Sequence, residues 1–83
     1  MKVVYTLLEE DQEDKETSII GVFDSVDNAN KGLTYYYGEF EVMEHKDMQD
    51  GGIEWFKELK VKDHINNDYN VKLWLQYFRL NEV

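Results

Sequence analysis

Residues 69–80, YNVKLWLQYFRL, place the strongest limit on what this chain can fold into. Apolar side chains recur every second residue: Val71, Leu73, Leu75 and Tyr77 on one side, Trp74, Phe78 and Leu80 on the other. That period predicts a long β-strand, and a strand of this length needs partners of similar length. The chain must therefore build a sheet. Because both sides of the strand are apolar, one side can meet a helix. The second must be covered by a loop, by a curled sheet or by another chain.

The remaining segments supply the partners. Residues 2–8, KVVYTLL, are β-branched and aromatic and too short for an independent helix, so they read as a strand. Residues 9–17, EEDQEDKET, form a polar block that reads as a solvated hairpin loop, and residues 18–23, SIIGVF, as the returning strand, with Gly21 at a bulge or a close backbone approach. Ser25 is a good helix N-cap, and Asp27 suits the positive end of the helix dipole. Val26, Ala29, Leu33 and Tyr36 or Tyr37 make one helical stripe, which Gly38 closes with a left-handed cap. Gly32 inside that helix costs roughly 1 kcal/mol relative to Ala. Residues 39–46 read as a strand with Phe40 and Val42 on one side, and residues 47–52, DMQDGG, as a turn. Residues 53–62 read as a strand with Ile53, Trp55, Leu59 and Val61 on one face, although Ile53, Phe56 and Lys60 also fit a helical period; residues 63–68 form the next turn. The expected fold is α+β: one mainly antiparallel, curved sheet of about five strands with a single helix packed on one face, in the order strand, strand, helix, strand, strand, strand. Residues 1–83 contain no proline, repeat or linker and read as a single domain.

Composition narrows the function. Cysteine is absent, which removes disulfides, thiolate metal sites and thiol nucleophiles. No segment approaches the roughly 20 apolar residues of a membrane span, and the start of the chain lacks a signal-peptide pattern, so a cytoplasmic location is expected. The formal net charge is −9. It lies entirely within residues 1–50, where thirteen acids face four lysines, while the rest of the chain is balanced. Such a field repels nucleic acid phosphates and anionic lipid and attracts basic proteins. Direct nucleic-acid or membrane binding is therefore not expected.

No catalytic constellation emerges. The two serines, Ser18 and Ser25, occupy a strand start and a helix cap. His45 and His64 lack a second His or a Cys at ligand spacing; a metal site would need Asp47, or Asp63 and Asp68, to converge beside them. Phosphate-binding and HExxH motifs are missing. The expectation is a non-enzymatic protein that uses no cofactor and binds another protein with a basic surface. The candidate residues are the acids Glu9, Glu10, Asp11, Glu13, Asp14 and Glu16, the row Glu39 and Glu41, and the aromatics Tyr35, Tyr37 and Trp74. Carboxylates two residues apart on a strand repeat at about 6.6–6.8 Å, so such a row is a possible DNA mimic. Tyr35, Tyr36 and Tyr37 cover so much of the helix circumference that at least one must point away from the sheet. The alternatives are a small metal-binding or carboxylate-based enzyme, which would use His64 with Asp63 and Asp68, and a structural homo-oligomer, with a homodimer as its simplest form.

VVYTLLEE, then SIIGVFDSVDNANKGL after a polar loop, then GIEWFKEL before an aromatic last strand, resembles a group of short bacterial and phage proteins. In these a strand leads through a G-V-F/Y-S step into a helix, and a G-I-E-W step enters a late hairpin. The resemblance spans most of the chain, and its motifs are structural punctuation: Gly21, Val22, Phe23 and Ser25 set the strand-to-helix turn, with Asp24 as an added residue. It implies this order of elements; a phage or mobile-element accessory role against a nucleic-acid-binding protein of the host is instead the sharpest form of the expectation drawn from the charge. The resemblance brings no activity with it.

Overall fold

Alternation of apolar and polar residues dictates extended structure wherever it persists, and five such runs become strands. The computed structural model describes residues 2–10, 15–62 and 68–80. In chain order the elements are β1 (Lys2–Glu10), β2 (Thr17–Phe23), α1 (Val26–Tyr37), β3 (Phe40–Asp50), β4 (Ile53–Val61) and β5 (Tyr69–Leu80). They form one antiparallel five-stranded sheet in the order β2-β1-β5-β4-β3, with the single helix on one face. The first and last strands are neighbours, so β1–β2 is a hairpin on one side of β5 and β3–β4 a hairpin on the other. Helix α1 joins β2 to β3, the two edges of the sheet, and must cross the face to do so. Five strands about 4.8 Å apart span roughly 19 Å, and 12 helical residues rise about 18 Å. The helix is as long as the crossing requires.

The helix begins as its residues demand. Ser25 is extended (φ −153°, ψ 160°), and its hydroxyl accepts from the Asn28 amide at 3.1 Å, while the Asn28 side chain donates to Asp24 Oδ1 at 2.5 Å. Asp24 thus joins the cap. At the other end Gly38 (φ 73°, ψ −116°) donates its amide to the Thr34 carbonyl at 2.9 Å. Residues with a side chain rarely adopt that conformation.

Ala29, Leu33 and Tyr37 face the sheet and bury against Leu7 of β1, Trp55, Leu59 and Val61 of β4, and Val71, Leu73 and Leu75 of β5. Full burial of one such leucine stabilises the fold by about 1.5–3 kcal/mol. Of the two apolar sides of β5, the one carrying Val71, Leu73 and Leu75 meets the helix. Phe23 is the wedge between helix and sheet. A Cβ on Gly21 would stand 2.8 Å from its ring and one on Gly32 would stand 2.6 Å from it, so both glycines make room for one phenyl group.

Several boundaries differ from the sequence reading. Glu9, Glu10 and Thr17, expected in the loop, are paired strand residues, because cross-strand bonds to β5 and β2 outweigh the low strand propensity of glutamate. Strand β3 continues to Asp50, leaving a two-residue turn at Gly51 and Gly52, both with positive φ (63° and 81°), as tight hairpins require. Ile53 does not share the face of Trp55. Pairing shifts between them, with Ile53 opposite Gln76 and Trp55 opposite Leu75, so an extra residue turns Ile53 to the other side. A second bulge, in β2, lies between Ile19 and Gly21. The described residues contain no helix long and apolar enough to cross a membrane.

Candidate functional site

Directly opposed residues of antiparallel strands share a face, so the register alone draws the surface away from the helix. One row runs Ile19, Leu8, Trp74, Phe56, Lys46 across all five strands. The next row contains Val22, Thr6, Gln76 and Ile53, and a third Val4 and Phe78. The result is an apolar band without a covering element among the described residues. Trp74 and Phe56 stack at 5.2 Å between ring centroids and remain half-buried, while Ile19 (67%), Val22 (61%) and Phe78 are exposed. A shallow depression of about 280 Å³ opens among Leu8, Thr17, Ile53, Trp74 and Gln76. Exposed aromatic surface of this kind is costly to leave in water and is what binding hot spots are made of.

A charged belt borders the band. Lys72 stands between Glu10 and Glu58, and Lys60 lies opposite Glu41. Glu44 pairs with Lys46 at 3.2 Å. Each of these carboxylates therefore has a lysine nearby, and exposed pairs of this sort contribute about 0–1 kcal/mol. Glu39 precedes β3 and its carbonyl accepts from the Lys62 amide at 3.0 Å, so only Glu41 of the two lies in the strand.

The other sequence candidates scatter. Tyr35 points to solvent (93% exposed), and Tyr36 is also exposed. Tyr37 is part of the core instead (8% exposed), because it continues the Ala29 and Leu33 stripe at the next i+4 position; it is not a surface contact residue. Glu9 lies on the helix side of β1, close enough to Tyr37 to act on it. Burial first, and then the Glu9 charge, push the Tyr37 phenol well above its ordinary range. The contact with Glu9 falls short of full hydrogen-bond geometry, and the Tyr37 hydroxyl has no other partner among the described residues. Glu10 lies on the opposite face and Glu16 is exposed beside β2, so the acids do not form one surface. Asp11, Glu13 and Asp14 lie outside the described residues, as do Asp63 and His64.

Of the convergences that a metal site would need, that of Asp47 with His45 forms, and Lys57, which the sequence reading did not single out, lies on the same face. His45 Nε2 and Asp47 Oδ1 are 2.9 Å apart on the helix side of β3, and Lys57 Nζ sits 4.7 Å above the Trp55 ring. Burial holds the Lys57 ammonium below its usual range, with Asp47 opposing the shift. These residues cap Trp55, whose indole N–H is itself buried without a partner among the described residues. The His45–Asp47 pair is largely exposed, and its chemistry is that of a surface hydrogen bond. No group of three His, Cys, Asp or Glu side chains converges to hold a metal among the described residues, and Asp68 lies 3.9 Å from Lys60. What was not legible is the meeting with Lys57: His45 and Asp47 reach its face only because Met43 is an extra residue in β3.

Compared with protein-family models, curated proteins and solved structures, the chain matches none. The G-V-F and G-I-E-W steps therefore stand on their local geometry: the first packs Phe23 between Gly21 and Gly32, the second leads from the glycine turn into the bulge before Trp55.

Proposed function

We propose that this protein is a non-enzymatic binding domain that docks a basic-surfaced protein on the sheet face opposite the helix. The apolar row Ile19, Leu8, Trp74 and Phe56 carries the reading, because it lies uncovered among the described residues. The net charge of −9 steers a partner of opposite sign toward the molecule. The aromatic pair then supplies affinity by losing its contact with water. A nucleic-acid-binding protein is the sharpest form of such a partner, since its basic surface is already shaped for an anion.

The test is affinity capture from host lysate at low and high salt, using wild type and Trp74→Lys. The wild type is expected to retain a basic protein at low salt and to lose most of it at about 0.5 M, where the Debye length is only a few ångströms. Trp74→Lys is expected to lose it at both, while keeping its melting temperature within a few degrees because the side chain is only half-buried. A yield indifferent to both salt and Trp74→Lys would refute the proposal.

A further inference from the structure

The two edges of the sheet are built differently. At β3 an approaching strand meets Glu41, Glu44, His45, Lys46 and Asp47, and the register breaks twice, between Val42 and Glu44 and between Asp47 and Asp50. Charges and bulges are how natural sheets keep edges from pairing with other chains. At β2 the sequence is TSIIGVF, without a charged residue or a proline. Its outer amides and carbonyls face no other strand of the sheet. Its side chains include Ile19 and Val22, both mostly exposed. A groove of about 410 Å³ runs beside it under α1, lined by Ile20, Phe23, Gly32 and Tyr36 among others.

From this contrast we infer that β2 pairs antiparallel with β2 of a second copy, joining two five-stranded sheets into one. The occupant follows from charge and from side-chain parity. Two chains of −9 repel each other over most of their surface, and an uncharged strand is where that repulsion is least. Antiparallel pairing about a twofold axis between Ile20 and Gly21 sets Ile19 of each copy beside Val22 of the other. These two residues share a face only because of the β2 bulge: Ile19 lies opposite Leu8 and Val22 opposite Thr6. The apolar row of one copy then continues into that of the other. Lys15 at one end of the strand is brought toward Asp24 and Asp27 at the other end of the second copy, with Glu16 the one like charge there among the described residues. Six paired residues, 18–23, extend about 20 Å. A contact this narrow buries less than the roughly 800 Å² per partner of a standard interface, so the dimer is weak and depends on concentration.

Sedimentation equilibrium of the full chain from about 10 µM to about 1 mM tests this. The mass is expected to climb from 10.0 kDa toward twice that value, and Ile19→Lys with Val22→Lys to weaken the association at least tenfold. Trp74→Lys is expected to leave it unchanged, which separates edge pairing from docking on the sheet face. Amide exchange of the wild type provides a readout independent of any variant: residues 17–23 should gain protection as concentration rises. A monomer at every concentration, association lost with Trp74→Lys but not with the lysine pair, or β2 amides indifferent to concentration would each overturn the inference. So would a chain that stays monomeric and adds only extended peptides from other proteins to β2.

Discussion

Replacing Gly32 with alanine brings helix propensity and packing into direct opposition. Inside a helix, Gly→Ala stabilises by roughly 1 kcal/mol from propensity alone. Here the new Cβ would stand 2.6 Å from Phe23 Cζ and 2.8 Å from Cε1, about an ångström inside ordinary contact. The ring cannot retreat toward β2, because the Gly21 side already approaches it so closely that a Cβ there would lie 2.8 Å away. Its remaining route leads into the groove beside Ile20 and Tyr36, away from the core contacts it makes now. Overpacking of this kind costs about 1–3 kcal/mol. The expected net effect of Gly32→Ala is thus a loss of about 0–2 kcal/mol in place of a gain. Urea unfolding followed by tryptophan fluorescence measures it. The decisive arm is the same substitution in a Phe23→Leu background, where the ring is gone and the propensity gain of roughly 1 kcal/mol should reappear. If Gly32→Ala stabilises the wild type as much as it stabilises Phe23→Leu, the wedge does not exist.

Two further outcomes follow from the core and the helix end. Tyr37 has its phenol raised by burial and by Glu9, so between its ordinary value of 10.0 and the higher folded value the native state holds a proton that the unfolded state releases. Stability must then fall as pH rises above about 10. Lys57 acts oppositely, since its lowered value lets the native state release a proton first and adds stability as pH approaches 10.5; above that pH the loss from Tyr37 continues without this offset. Urea midpoints between pH 8 and 11.5 should drop less steeply for Tyr37→Phe than for wild type, and equal slopes would count against the assignment. Gly38→Ala should cost about 1–3 kcal/mol through backbone strain alone, because nothing stands within 4 Å of the added Cβ. A thermal melt that does not shift would show that the helix end can relax.

Much of this architecture was legible in the chain because its signals are local. Period-two runs announced the strands, the Val26, Ala29 and Leu33 spacing announced the helix, and Ser25 and Gly38 marked its ends. The two-sided apolar pattern of β5 announced that one of its sides would need a cover other than the helix, and left open whether a loop, a curled sheet or another chain supplies it. The spacing left Tyr36 or Tyr37 to continue the helical stripe, so Tyr37 stood both as a core residue and as a contact candidate; only packing against Leu33 and the sheet selects it for the core.

What the sequence could not decide was how strands oppose one another. A bulge is a difference in residue count between two strands that can be far apart in the chain, so Gly21 marked the one in β2 while no window around Ile53 or Met43 reveals the other two. Those extra residues turn Ile53 toward Trp74, gather His45 and Asp47 beside Lys57, and set Ile19 and Val22 side by side. The strand order, too, depends on pairing the two ends of the chain, and it is this pairing that leaves β2, an uncharged strand, at the edge. Local chemistry therefore determined which elements form, while long-range register decided which surfaces they present.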